Sequence, residues 1–164
     1  MKAIYSGSFD PVTVGHMDII ERASRMFDEV VILLMRNPKK KYTFTEEDRK
    51  AMIEAAIAET GTIHNVTVVI GQGLTVDMAS KLGASAIIRG IRAITDYEFE
   101  LMQATANLKL NDRIETFLMI ARPEYSFLSS SVVKEIAING GEIRTFVPDA
   151  IVDHVKEVME SYIQ

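Results

Sequence analysis

The sequence runs to 164 residues, 48% apolar and 25% charged, enough for a single domain over 1–164 with its own core. A net charge of −5 argues against long nucleic acid, whose affinity rests on Lys and Arg neutralising phosphates, and no 18-residue apolar run exists to span a membrane. The lack of cysteine excludes disulfides, thiolate catalysis and cysteine zinc sites, and His16, His64 and His154 are too scattered to suggest a structural metal. The N-terminal MKAIYSGSFDP has no apolar segment and cleavage site of a signal peptide, so a mature-length, cytoplasmic protein is expected. Within it, Ala3 to Tyr5 predict a short strand ended by Ser6-Gly7. His16 to Phe27 predict a helix, with Ile19, Ile20, Ala23, Met26 and Phe27 at helical spacing. Val30 to Met35 reads as a strand buried on both faces, broken by Asn37-Pro38. Thr45 opens a second helix with Glu46, Glu47 and Asp48 in its first turn, where negative charge meets the helix dipole, and Gly61 stops it.

Val66 to Ile70 predicts the next strand, Val76 to Leu82 a short helix ended by Gly83, and Ala86 to Ile88 a strand running into Arg89-Gly90. Thr95 with Glu98 has the pattern of a capping box. The helix behind it carries Phe99, Met102, Ala106 and Leu110 on one face, read as mostly core with an edge on an apolar groove. Thr116 to Ile120 is a fifth strand, Ser129 to Ile138 a helix stopped by Gly140-Gly141, and Pro148 to about Tyr162 a last helix with Ile151, Val155, Val158 and Met159 inward. Strands alternating with crossover helices predict an α/β, Rossmann-like, five-stranded parallel sheet with helices on both faces. Ligands then gather at the carboxyl ends of the strands. Those ends carry Ser6 to His16, Arg36 to Lys41, Gly71 to Thr75, Arg89 to Arg92 and Ala121 to Ser131.

The basic residues in these stretches cluster, Arg36 with Lys39, Lys40 and Lys41, and Arg89 with Arg92. Such local groups in an acidic protein suit a small polyanion. Gly7 and Gly15 flank a loop that enters a helix, and helix N-termini offer free N–H groups to phosphate. His16 stands on that first turn. Plainer roles are open to the same residues. Arg89 and Arg92 have Asp96 and Glu98 in reach as ion-pair partners, Ser129-Ser130-Ser131 suit a helix N-cap, and Asp10 before Pro11 suits a turn.

The string SGSFDPVTVGH resembles the T-x-GH signature of the nucleotidylyltransferase superfamily. NPKKKYTFTEEDR, IIRGIRAITDYEFE and EYSFLSSSVVKEIA resemble, in the same order, three further segments of the bacterial phosphopantetheine adenylyltransferase family. The resemblance implies an enzyme of coenzyme A biosynthesis that moves the adenylyl group of ATP to 4'-phosphopantetheine by direct in-line transfer, releasing pyrophosphate. By position it implies that Ser8 and His16 touch the phosphates of both ligands, with Phe9 beside them and His16 catalytic. Lys40, Thr75 and Arg89 fall on acceptor-binding positions. Gly90, Ile91, Arg92 and Glu100 fall on ATP-binding positions, as do Tyr125, Ser126, Phe127, Leu128, Ser129, Ser130 and Ser131. Ser8 replaces the family's usual Thr and keeps its hydroxyl; Thr75 stands where many members have Leu or Met. Mg²⁺ is expected on the ATP phosphates rather than in a protein cage. Coenzyme A as a feedback ligand and a homohexamer are further implications of the resemblance.

The chemistry of the residues agrees with that reading. A phosphate monoester, with a second pKa of about 6, is already largely dianionic at neutral pH and needs no general base. No Ser-His-Asp set or base pair is visible. The reaction asks instead for positioning and charge stabilisation, which His16, Lys40, Arg89 and the Ser129-Ser130 groups can supply.

Overall fold

The computed structural model describes residues 1–162. Strands β1 (Lys2–Gly7), β2 (Glu29–Arg36), β3 (Val66–Gln72), β4 (Ala86–Ile91) and β5 (Glu115–Ile120) form one parallel sheet in the order β3-β2-β1-β4-β5. Helices α1 (Val14–Met26), α2 (Glu46–Thr60), α3 (Thr75–Lys81) and α4 (Ile94–Leu110) make the crossovers. A 3₁₀ turn at Pro123–Tyr125 leads to α5 (Ser130–Ile138), and another at Asp149–Ile151 leads to α6 (Val152–Ser161). This is the Rossmann-like α/β architecture the strand–helix alternation predicts.

The central strands β1, β2 and β4 read as unbroken apolar runs because both of their faces are covered, while the edge strands β3 and β5 are partly exposed. Successive side chains of a strand point to opposite faces. Tyr5, Ile32, Leu34 and Ile88 accordingly enter a large core with Ile20, Ile53, Val133 and Val155 from α1, α2, α5 and α6. Ile4, Val31, Leu33 and Ile87 enter a smaller one with Val76 and Ala79 of α3. Each such side chain, fully buried, contributes about 1.5–3 kcal/mol of transfer free energy. In α6, Ile151 before it, Val155 and Met159 are buried as their spacing predicts.

The caps follow local chemistry. Thr45 and Asp48 form a reciprocal capping box at α2, and Gly61 ends that helix at φ +62°, a conformation that costs a side chain energy. The Thr95–Glu98 capping box does not form. α4 begins at Ile94, and it is the Asp96 carboxylate that turns back to accept the Arg92 backbone N–H at 3.0 Å. The Phe99, Met102, Leu110 stripe is not core either: all three side chains are more than half exposed. The least exposed side of α4 carries Glu100, Ala104 and Asn107, one per turn, and these wall clefts instead of filling a core, Glu100 one cleft and Ala104 with Asn107 another. The apolar stripe turns outward at Met102 and Leu110, while its edge residue Phe99 lines a cleft, as the groove expectation has it.

The chain runs from the central strand β1 outward to β2 and β3, then returns to the other side of β1 as β4 and β5. The carboxyl ends of β1 and β4 are thus adjacent while the loops that follow them diverge, which opens a crevice at the switch point. No helix among the described residues is long and apolar enough to cross a membrane.

Candidate active site

The crevice is built first by the turn after β1. A Cβ on Gly7 would stand 3.0 Å from the Phe9 ring, so glycine is what lets that ring fold back over the strand. Phe9 itself sits at φ +47°, a left-handed conformation rare for an aromatic residue and held here by burial of the ring. The ring meets Tyr5 and His16 edge-on, with centroids 5.2 and 5.0 Å away. Phe9 therefore serves as the seat of His16.

His16 is fixed from the other side by Thr13. The Thr13 hydroxyl accepts the His16 backbone N–H at 3.2 Å, and the Thr13 backbone N–H donates to His16 Nδ1 at 3.0 Å. A capping box normally uses Glu or Gln at this position; imidazole fills it here. Since Nδ1 accepts, the proton of the neutral ring resides on Nε2. Burial, with Arg92 and Arg89 adding to it, lowers the His16 pKa from 6.5 to about 4. At neutral pH the ring is a fixed, uncharged Nε2–H donor.

Two clefts open on this turn. The first, about 350 Å³, is lined by Ser8, Phe9, His16, Gly90, Arg92, Glu100, Tyr125, Leu128, Ser129, Ser130 and Ser131. Eleven of the fourteen ATP-site positions expected from the sequence therefore meet in one place. Ile91, Ser126 and Phe127 do not line it; Phe127 is exposed and packs on Phe146. The second, about 310 Å³, is lined by Ser8, Lys40, Thr75 and Arg89, the four expected acceptor positions, together with Tyr42, Phe99, Gln103 and Asn107. Thr75 is the first residue of α3. The two clefts share Ser6, Gly7, Ser8, Lys40 and Arg89 as a common wall.

The charges on that wall are already engaged. Lys40 Nζ donates to Ser8 Oγ at 3.1 Å. Arg89 meets the buried Glu100 carboxylate in two parallel bonds of 2.7 Å and also donates to the Ser6 carbonyl. Both Arg89 and Arg92 do form ion pairs, but with Glu100 and Asp96 respectively, and both still face the first cleft. Glu100 thus orients Arg89. Arg92 also donates to the Leu128 carbonyl at 2.8 Å, tying the start of α4 to the turn before α5.

At α5, Ser129 is the N-cap and accepts the Val132 N–H, while the Ser130 hydroxyl donates to the Pro11 carbonyl at 2.7 Å. The Ser130 proton is spent on structure, whereas Ser129 Oγ only accepts and keeps its O–H, so the Ser129 hydroxyl joins the backbone N–H groups of Ser130 and Ser131 as donors open to an anion. Sequence reasoning missed Thr13, Lys134 and the bridging role of Asp10. Lys134 lies four residues after Ser130, hence on the same helix face, and that spacing was the available signal. It lines the first cleft, and its Nζ pairs with Asp10 at 2.8 Å. Asp10 also accepts the backbone N–H groups of Thr43 and Phe44, so it joins the β1, β2–α2 and α5 segments. Its turn role is structural.

Among the described residues, no group of three His, Asp or Glu side chains is placed to hold a metal ion. The carboxylates in the first cleft, Asp10, Asp96 and Glu100, are each paired with a cation of the chain.

Comparisons with known proteins place this geometry. Residues 4–136 match the family model described as cytidylyltransferase-like. The chain is 49% identical over 156 residues to a phosphopantetheine adenylyltransferase of Finegoldia magna, covering 95% of this chain and 94% of that one. It is 51% identical over 149 residues to one of Lachnoclostridium phytofermentans, covering 91% and 90%. A solved nicotinic acid mononucleotide adenylyltransferase from Plasmodium falciparum, complexed with NaAD, shares the fold with a TM-score of 0.70 at 15% identity, over 98% of this chain and 95% of that one. Identity of that size, carried across nearly the full length of its relatives, means that the chain belongs to the phosphopantetheine adenylyltransferase family.

Proposed function

We propose that this protein transfers the adenylyl group of ATP to 4'-phosphopantetheine, giving dephospho-coenzyme A and pyrophosphate. The observation that carries the reading is the pair of clefts with one cationic wall in common. A nucleotide in the first and a phosphorylated acceptor in the second would bring their phosphates together at Ser8, Lys40 and Arg89. Phosphopantetheine is long and flexible, and the second cleft offers it Phe99 along one side and the amides of Gln103 and Asn107.

In this reading an oxygen of the acceptor phosphate forms a bond to the α-phosphorus of ATP. The bond to the oxygen bridging toward the β-phosphorus breaks, and pyrophosphate leaves with that electron pair. The acceptor oxygen is already anionic, so no base is required. His16 Nε2–H donates to the α-phosphate oxygens as charge develops on them, from a position fixed before the reaction. The α5 N–H groups of Ser130 and Ser131, with Lys134, bind the leaving phosphates. Lys40 and Arg89 hold the acceptor phosphate in line and offset its repulsion from ATP. The paired state of Asp10, Asp96 and Glu100 fits a Mg²⁺ that arrives on the ATP phosphates, where it would neutralise part of their charge.

Residues 1–164 act as one catalytic domain, in the cytoplasm, with coenzyme A as a feedback ligand that shares the second cleft. The uncovered apolar side of α4 supports assembly of the protein with copies of itself, as a homohexamer. The test of the reaction is pyrophosphate release. Turnover should require ATP and phosphopantetheine together, and dephosphorylated pantetheine should be inert. Turnover with nicotinamide mononucleotide but not with phosphopantetheine would refute the assignment.

A further inference from the structure

Arg49 stands on the first turns of α2 and, at 1% exposed, is the largest fully buried side chain among the described residues. No carboxylate pairs with it there. Its Nη1 donates to the Ser8 carbonyl at 2.7 Å, its Nε reaches the Thr45 carbonyl at 3.4 Å, and its guanidinium lies over the Tyr42 ring, 4.0 Å from the centroid. An arginine buried without an opposing charge is costly, and an apolar side chain of the same volume would serve packing better. Its contacts give the reason for it. Ser8 and Tyr42 both line the second cleft, and between them lies Lys40, whose ammonium donates to the Ser8 hydroxyl.

We infer that Arg49 is a positioning residue for the acceptor phosphate, acting through Ser8 and the Lys40 loop; this rests on the reaction proposed above. The guanidinium draws the Ser8 carbonyl oxygen into the protein. A carbonyl oxygen turned the other way would face the anion and repel it. With the carbonyl held, the Ser8 hydroxyl and Lys40 stay on the wall the two clefts share. Stacking on Tyr42 fixes the far end of the same loop. Asp10 adds a third tie through the Thr43 and Phe44 N–H groups, but its charge is already met by Lys134. The Arg49 charge has no carboxylate in ion-pair contact, Glu46 acting on it only through space, and it lies behind the wall where it adds to the attraction for a dianion.

The experiment compares wild type with Arg49→Lys and Arg49→Met in steady-state turnover of ATP and phosphopantetheine, with thermal unfolding of each protein measured alongside. Displacing a positioned group by about 1 Å costs on the order of 100-fold, so Arg49→Met should lower kcat by about that factor. Its KM for phosphopantetheine should rise on the order of 10-fold, while its KM for ATP stays within about twofold. Arg49→Lys keeps the charge and should restore part of the acceptor KM but little of kcat. A role in the core alone would lower the unfolding temperature and leave both KM values of the folded protein unchanged; that result overturns the inference. So do equal rises in both KM values, and so does failure of both variants to fold. Absence of turnover in wild type would instead overturn the reaction itself.

Discussion

In the reaction proposed above, His16 is the side chain assigned to charge stabilisation, and two of its properties are measurable. Its Nε2–H donor is held by the Thr13 N–H on one edge and the Phe9 ring on another, so the hydrogen bond it offers needs no reorganisation. His16→Ala should lower kcat on the order of 100-fold or more with a much smaller change in ATP affinity, checked by turnover and by calorimetry with ATP. Near-normal turnover in the folded variant would remove His16 from the mechanism. The second property is its pKa, lowered from 6.5 to about 4 by burial and then by Arg92 and Arg89. Between those values the unfolded chain binds a proton at this residue and the folded chain does not. The stability attached to His16 is therefore complete above pH 6.5 and is lost as pH falls toward 4. Denaturant midpoints of wild type and His16→Asn, followed from pH 7 to 4, should converge or cross in that window, with wild type losing more. Parallel curves would mean that the ring titrates normally. At the acceptor wall, Glu100→Gln should leave Arg89 charged but poorly aimed, because both of its 2.7 Å bonds end on that carboxylate. The KM for phosphopantetheine should rise about 10-fold, in kinetics with ATP saturating.

Among the elements, legibility tracked the local physics. α2 was readable at both ends because its signals are local: Thr45 and Asp48 bond each other, and Gly61 supplies a positive φ. The central strands β1, β2 and β4 were readable because coverage on both faces imposes continuous apolar runs, and the partly exposed β3 and β5 because they keep runs of Val, Ile, Phe and Leu. α4 was misread for a matching reason. Periodicity tells which side of a helix is apolar, not where that side points, and in α4 the least exposed stripe is Glu100, Ala104 and Asn107. Within the site, residues held in family motifs were legible, as was the loop-to-helix logic around His16. Thr13 and Arg49 were not, since their roles arise from contacts with Nδ1 of a histidine and with the carbonyl of Ser8, 41 positions away. The N-cap of α5 belongs to the legible group and gives a prediction of its own. Ser129→Ala removes the acceptor for the Val132 N–H and should cost about 1 kcal/mol in urea unfolding. The Ser130 and Ser131 N–H groups remain, so ATP binding should weaken little at saturating Mg²⁺. A stability unchanged by Ser129→Ala would show that the cap contributes nothing.

For the whole molecule, the distribution of apolar surface is the feature that one chain leaves unbalanced. The core is closed on one side of the sheet by four helices, but the other side ends in α4, where Ile94, Leu101, Met102, Leu108 and Leu110 are all exposed. The adjacent edge strand β5 adds Ile120 at 72% exposure. Scattered apolar residues on a surface are ordinary, but this many along one helix, beside an exposed strand end, are what the proposed assembly would cover. The residues of one chain, by contrast, already suffice to line both clefts at the switch point between β1 and β4. The proposed assembly through α4 and the proposed ATP site should thus be separable. Met102→Glu together with Leu110→Glu places charges on the outward face without touching any residue that lines the first cleft. In sedimentation experiments this double variant should shift from the assembled species to a smaller one. Calorimetry on the dissociated protein should still find ATP binding within a few fold of wild type, because His16, Arg92 and the α5 N-terminus all belong to one subunit. An unchanged sedimentation coefficient would show that α4 is not the contact face. Loss of ATP binding together with dissociation would show instead that the site depends on a neighbouring copy.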